Sequence, residues 1–211
     1  MKNNLFVIAK SGWRYIAYAL FAFVICSLLD FDFFAFLAIV VALFLVYLFR
    51  NPERVTLNSQ QNTLVMPCDG IVTAIEKLEE DAVYGYRIDI DASYFNVGVL
   101  RMPMHSEVTS MKLVRGSRVA KNTKLFTLLN EYVELVFTDS AKNSIKVIHR
   151  LKQSFVPLTI ELNIGEKLMP SSRYGFMANG VTSLYIPSNF SLNVQIGQEV
   201  LASQTVVGHF S

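Results

Sequence analysis

Residues able to hold a metal or start nucleophilic chemistry are scarce in this chain, which has three histidines and two cysteines among 211 residues. Cys26 lies in an apolar N-terminal stretch and Cys68 well beyond it, so no disulfide framework is expected, as suits a domain on the cytosolic side. His105, His149 and His209 are far apart, and none has a second ligand at metal spacing; they read as ordinary surface or satisfied histidines. The sequence also lacks a glycine-rich phosphate loop, a paired-cysteine site, HExxH and GxSxG. Formal net charge is only +2 and no long basic block occurs, which excludes a nucleic-acid footprint. There is no internal repeat and no low-complexity linker.

Charge is missing most conspicuously between Arg14 and Arg50, where only Asp30 and Asp32 interrupt an apolar stretch. It divides into two runs, Trp13 to Leu29 and Phe33 to Phe49. At about 1.5 Å per residue each reaches roughly 25 Å as a helix, a little short of the ~30 Å hydrocarbon core of a bilayer. Lys2 and Lys10 precede the first run and Arg14 is its second residue, Arg50 and Arg54 follow the second, and the acidic turn lies between. The positive-inside rule therefore predicts a membrane hairpin with both ends in the cytoplasm. A secretory signal peptide would leave the second run unexplained and would need a small-residue cleavage site. Buried core helices are the plainer alternative, but a small soluble domain rarely opens on two uncharged helices. The expected division is residues 1–50 as anchor and 51–211 as a β-rich domain at the cytoplasmic membrane face.

Beyond residue 55 the pattern changes to short alternating runs. Strands are predicted at Val65-Met66, Gly70 to Ile75, Tyr86 to Ile90, Val97 to Leu100, Tyr132 to Phe137, Ile145 to Ile148 and Phe155 to Leu162. Turn signals at Asp69-Gly70, Asn163-Ile164-Gly165, Asn179-Gly180 and Ile196-Gly197 favour a mainly β architecture, a sandwich or barrel-like sheet rather than βαβ units. Leu192 to Gly208 echoes the strand-turn-strand of carrier domains without a lysine at a hairpin tip, and is read as shared sheet architecture only.

Six short signatures then follow in order: Phe49-Arg50-Asn51-Pro52-Glu53-Arg54, Met66-Pro67-Cys68-Asp69-Gly70-Ile71-Val72, Phe95 to Pro103 (FNVGVLRMP), Asn130-Glu131, Arg173-Tyr174-Gly175-Phe176-Met177 and Ser183-Leu184-Tyr185-Ile186-Pro187. Together they resemble the short, anchored form of phosphatidylserine decarboxylase, whose pattern reads FFRDPxR, SPADGxV, FDVHVNRxP, NER and GxRxGxIxFGSxVxxYxP. The resemblance covers nearly the whole chain. It implies a self-made cofactor: a serine hydroxyl attacks the preceding glycine carbonyl, the resulting ester eliminates, and a pyruvoyl group is left as an electron sink for decarboxylating a serine phospholipid. It also implies a histidine to move protons and an aspartate to orient it.

The chain departs from that pattern where the chemistry sits. Counted back from Tyr185, the family's Phe-Gly-Ser falls on Ala178-Asn179-Gly180, so the pyruvoyl-forming serine is replaced by Gly180. The family histidine falls on Gly98. Of the processing residues only Asp69 remains, and it is the one candidate catalytic residue. A further segment, QxAG then ARR, falls on His149 to Pro157, with Val156 and Pro157 in place of its arginines. Thr182 or Ser183 offers a hydroxyl two or three residues late. His105 lies seven residues beyond Gly98, an odd offset that points to the other face of a strand. Cys68 reads as a small buried hydrophobe, Asp69 has a plain reading as the Asp of an Asp-Gly turn, and Asn179-Gly180 reads as a tight hairpin turn.

The residues thus favour a non-processing relative that uses no cofactor and acts through a phospholipid membrane, a phosphatidylserine-like lipid or a partner chain. The alternative is a working decarboxylase with a displaced processing site.

Overall fold

Two apolar runs separated by three residues fold as the hairpin their composition predicts. The computed structural model describes residues 7–54, 62–78 and 83–210; Lys2 lies outside them. The described chain divides into two compact units, one ending at Pro52 and the other beginning at Glu53.

In the first unit a 3-10 turn, Lys10–Gly12, leads into α1, Trp13–Leu28, and α2 spans Asp32–Leu48. The reversal between them is a Schellman closure. Asp30 adopts a left-handed φ of 56°, and the Phe31 N–H donates back to the Cys26 carbonyl at 2.9 Å, which satisfies helix-end carbonyls. Small Ala35 and Ala42, seven positions apart, are buried in α2 and let the helices approach closely. Gly12 does the same for Phe49, whose Cγ lies 2.3 Å from where a Cβ would sit. The outward faces stay apolar: Phe21, Leu28, Phe33, Phe36 and Leu43 are exposed. With its leading turn the first helix, Lys10–Leu28, is long and apolar enough to cross a membrane, whereas the second is shorter at 17 residues. Arg50 then folds back, its guanidinium 4.0 Å from the Tyr47 ring centroid.

The second unit is built on an eight-stranded antiparallel sheet. Its order across the sheet is Glu199–Val200, Gly70–Lys77, Tyr86–Ala92, Gly180–Ile186, Ser144–Leu151, Tyr132–Thr138, Ser106–Val114 and Lys167–Leu168. Two three-stranded sheets accompany it. One joins Thr63–Val65, Val206–Phe210 and Phe190–Leu192; the other joins Val99–Arg101, Arg173–Phe176 and Thr159–Ile160. The architecture is mainly β and sandwich-like, not a closed barrel. Alternation sends Ile88, Ile90, Val133, Leu135, Phe137, Ile145, Val147 and Leu184 into one fully buried cluster. Each such side chain contributes about 2 kcal/mol by leaving water.

Three local expectations change. Phe155 to Leu162 is not one strand; only Thr159–Ile160 pairs, because Pro157 has no N–H for a ladder. Ser106–Val114 is a nine-residue strand that the sequence pattern hid, since a bulge between Val108 and Ser110 breaks its alternation. Asn179-Gly180 is not a hairpin turn. Arg173–Phe176 and Gly180–Ile186 belong to different sheets, and Gly180 opens the latter strand between Ala92 and Leu151.

Candidate functional site

Asp69 precedes Gly70 at the entry to the strand Gly70–Lys77, next to the sheet's edge, and its carboxylate is buried instead of closing a turn. Burial of a charge demands partners, and Asp69, 3% exposed, receives four hydrogen bonds from three residues. Arg54 pairs with it through both terminal nitrogens, Nη1 to Oδ1 and Nη2 to Oδ2, the second at 2.7 Å. Backbone N–H groups of Ala202 and Val97 donate to it at 2.8 and 3.3 Å. The Val97 contact sets Asp69 against the segment containing Gly98. Gly70 has a φ of 154°, and a Cβ there would meet the Asp91 carbonyl oxygen at 2.5 Å, so glycine is required for the strand entry.

Gly98 and Gly180 come together around Met177. The Met177 N–H donates to the Gly98 carbonyl at 2.8 Å. A Cβ on Gly98 would lie 2.8 Å from Phe176 Cε2 and 2.9 Å from Met177 O; one on Gly180 would lie 2.5 Å from Arg150 O and 2.6 Å from Met177 Sδ. The space beside Gly98 and Gly180, the positions that the resemblance pairs with the family's histidine and, counted back from Tyr185, its serine, is therefore filled by neighbouring groups. Counted forward from Gly175, the family pattern sets its serine on Val181 instead, because this chain is one residue shorter between Gly175 and Tyr185. Neither position has a hydroxyl.

The displaced hydroxyls lie on the same strand. Ser183 Oγ donates to Asp89 Oδ1 at 2.6 Å. Thr182 belongs to a buried polar chain that sequence reasoning missed: His149 Nδ1 is 2.7 Å from Thr182 Oγ1, and His149 Nε2 is 2.6 Å from the Tyr174 hydroxyl. Thr182 is also a hydrogen-bonding partner of the Cys68 thiol. Burial lowers the His149 pKa to about 3 and raises that of Tyr174. It also lifts Cys68 to about 12, with the Thr182 hydrogen bond opposing and the Asp69 charge assisting. All these groups are neutral at pH 7. Cys68 is the buried thiol that the sequence implied, and His149 the satisfied histidine. His105 is exposed on a bend, and His209 Nδ1 lies 3.2 Å from Thr63 Oγ1. Among the described residues no group of three or more His, Cys, Asp or Glu is arranged to hold a metal.

Asn130-Glu131 is structural. Glu131, 1% exposed, is clamped by Arg115 and by Arg118, whose Nη2 donates at 2.9 Å. Asn130 Nδ2 donates to the carbonyls of Val119 and Leu151 at 2.8 and 2.7 Å.

The three remaining signatures each supply an arginine to one cavity of about 440 Å³, bounded by Arg54, Arg101, Arg173, Glu161, Glu166 and Lys167 among others. Arg173 Nη2 donates to Glu53 Oε1 at 2.6 Å. Arg101, 2% exposed, has its pKa lowered to about 10, chiefly by burial and then by the charges of Arg173 and Arg54, with Glu53 and Asp69 opposing.

The antiparallel sandwich follows an apolar hairpin in the chain and holds a buried aspartate against the Val97-Gly98 segment. The sequence profile of phosphatidylserine decarboxylase matches residues 41–208, and the chain belongs to that family. It is 29% identical over 214 residues to the phosphatidylserine decarboxylase proenzyme of Geotalea uraniireducens and 31% identical over 217 residues to that of Citrifermentans bemidjiense, with 99% of each chain covered in both cases. The proenzyme of Symbiobacterium thermophilum is 31% identical over 216 residues, covering 96% of this chain and 95% of its own.

Proposed function

We propose that this protein is a non-processing member of its family, anchored by its N-terminal hairpin and acting at the cytoplasmic membrane face by binding a serine-type phospholipid or a partner chain. The observation that carries this reading is Gly180. It offers no hydroxyl, and a Cβ at that position would lie 2.5 Å from the Arg150 carbonyl oxygen, so the position does not fit a pyruvoyl precursor and no cofactor follows. Gly98, where the family has histidine, is filled in the same way. The anchor is supported by the apolar first helix and by Lys10, Arg14, Arg50 and Arg54 flanking the hairpin while Asp30 and Asp32 occupy its turn.

The mass of the purified chain tests the reading. A single species of 23.8 kDa is expected. A fragment beginning near residue 180 and blocked by a 2-oxoacyl group would overturn it.

One contact favours a second reading, an active decarboxylase cut ahead of Thr182: His149 Nδ1 is 2.7 Å from the Thr182 hydroxyl. Against it, a histidine with its pKa lowered to about 3 is a weak base. The Thr182 backbone is also paired on both sides, opposite Ile90 and His149. The same mass measurement, with the fragment's start at Thr182, decides it.

A further inference from the structure

Several loops meet at one end of the large sheet. Residues 93–95 follow Ala92, residues 152–155 follow Leu151, Asn179 precedes Gly180, and residues 115–130 lead into Tyr132. The register sets Gly180 opposite Ala92 and Leu151, and Tyr132 opposite Arg150. From Lys121 to Leu129 every residue is exposed except Phe126. Phe126 pins this lobe from beneath, buried with the Arg150 guanidinium 5.8 Å from its ring centroid, and the Ser117 N–H donates to the Leu129 carbonyl at 2.8 Å to close the base. Leu128 and Leu129 lie three and four positions after Leu125, so the turn Phe126–Leu129 presents all three on one side. Leu128 is 77% exposed. Phe95, 70% exposed, and Lys121 border one cavity of about 510 Å³ beside the lobe.

Three leucines held in water forgo the stabilisation of burial, and a loop that served only as a connection would carry polar residues there. The charge around them has one sign. Between Glu107 and Glu131 the chain has no acidic residue and five basic ones, Lys112, Arg115, Arg118, Lys121 and Lys124. Arg115 and Arg118 share Glu131, and Lys121 and Lys152 share Asp91. Each carboxylate thus meets two cations, and Lys124 is a further, exposed one. A surplus of positive charge remains once these ion pairs are formed.

We propose that this lobe is a membrane contact distinct from the hairpin, in which Leu125, Leu128 and Leu129 enter the head-group layer of an anionic bilayer and the lysines around them face its lipid phosphates. A small apolar tip ringed by lysines matches a surface that is negatively charged outside and apolar just beneath. A protein interface would call for a larger patch with aromatic anchors set in pockets. The contact follows from the lobe alone and requires neither the hairpin nor the absence of a hydroxyl at Gly180.

The full chain, reconstituted in vesicles of phosphatidylglycerol and doxyl-labelled phosphatidylcholine, tests the contact. In a Cys26→Ser background, with Cys68 buried, a bimane fluorophore attached through Thr127→Cys should be strongly quenched. One attached through Ala141→Cys should be quenched weakly, since Ala141 lies about 20 Å away, beyond the other end of the paired strands Tyr132–Thr138 and Ser144–Leu151. Leu125→Ser with Leu128→Ser should bring position 127 down to the level of position 141; both leucines are exposed, so the fold should hold by circular dichroism. Lys124→Gln should lower the docked-to-undocked ratio about fivefold, the effect of removing one cation from an anionic surface, and vesicles of phosphatidylcholine alone should lower it further. Equal quenching at the two positions, quenching that survives the leucine substitutions, or indifference to phosphatidylglycerol overturns the contact. A label at position 127 that no lipid quenches, but that shifts to shorter wavelength as the chain is concentrated, marks a second copy of the protein on the lobe and also refutes it. Labelling Cys26 in the otherwise native chain reports on the hairpin separately. Quenching there and none at position 127 leaves the anchor standing and refutes the lobe; the reverse keeps the lobe and refutes the anchor.

Discussion

Asp69 and Arg54 face each other as a two-point ion pair inside the protein, the carboxylate at 3% and the guanidinium side chain at 8% exposure. The pair joins Arg54 to the entry of the strand Gly70–Lys77, and two backbone N–H groups complete the carboxylate's coordination. Breaking such a pair leaves a buried charge without its counterion. Arg54→Gln should therefore destabilise the protein by about 3 kcal/mol, read as a lower denaturant midpoint at unchanged slope. Asp69→Asn should cost a similar amount. If Asp69 served only a catalytic purpose, Asp69→Asn would leave the midpoint where it is.

A serine at position 180, where counting back from Tyr185 sets the serine of the family pattern, should not bring about self-cleavage. In Gly180→Ser the new Cβ would meet the Arg150 carbonyl and the Met177 sulfur. Overpacking of this kind costs about 1 to 3 kcal/mol. The variant, alone or with Gly98→His, should run as one uncut chain and melt below the wild type. Appearance of two fragments in Gly180→Ser would show that the scaffold still folds into a processing geometry.

His149 makes stability depend on pH in a calculable direction. Its pKa is lowered by burial from 6.5 to about 3, so the folded chain keeps it neutral while the unfolded chain protonates it below about pH 6.5. Stability from this group is present above that value and is lost as pH falls towards 3. The loss is about 1.4 kcal/mol per pH unit. His149→Gln should flatten the acid limb of a plot of unfolding free energy against pH by close to one proton, whatever it does to stability at pH 7.

Cys68 should be inert. With its pKa raised to about 12, almost no thiolate exists at pH 8, and the thiol is buried. In a Cys26→Ser background, maleimide labelling of the native chain should be at least about a hundredfold slower than after denaturation. Rapid native labelling would mean that the Cys68, Thr182 and His149 chain opens to solvent.

Much of the fold is legible in the sequence because helices and half-buried strands write their periodicity locally. Trp13 to Leu29 and Phe33 to Phe49 lie within a residue or so of the observed helices, and Tyr132–Thr138 and Ser144–Leu151 alternate as strands should. Legibility fails where the local rule is broken. The bulge in Ser106–Val114 hides a strand, and Asn179-Gly180 carries hairpin chemistry at a crossing between two sheets.

At the site, residue identity alone supplies a hydroxyl-free Gly180, an imidazole-free Gly98, and an Asp69 set in a stretch that resembles the family pattern. It also determined the apolar helical hairpin, since the thirty-five residues from 15 to 49 carry only two charges. Only the tertiary structure decided what those groups meet. Arg54, Arg101 and Arg173 are separated by 47 and 72 positions, and His149, Thr182, Tyr174 and Cys68 come from four different segments. Their convergence depends on strand order and sheet packing, long-range relationships that local periodicity does not encode. For the same reason Asp69, a turn residue on paper, becomes a buried anion whose partners arrive from positions 54, 97 and 202.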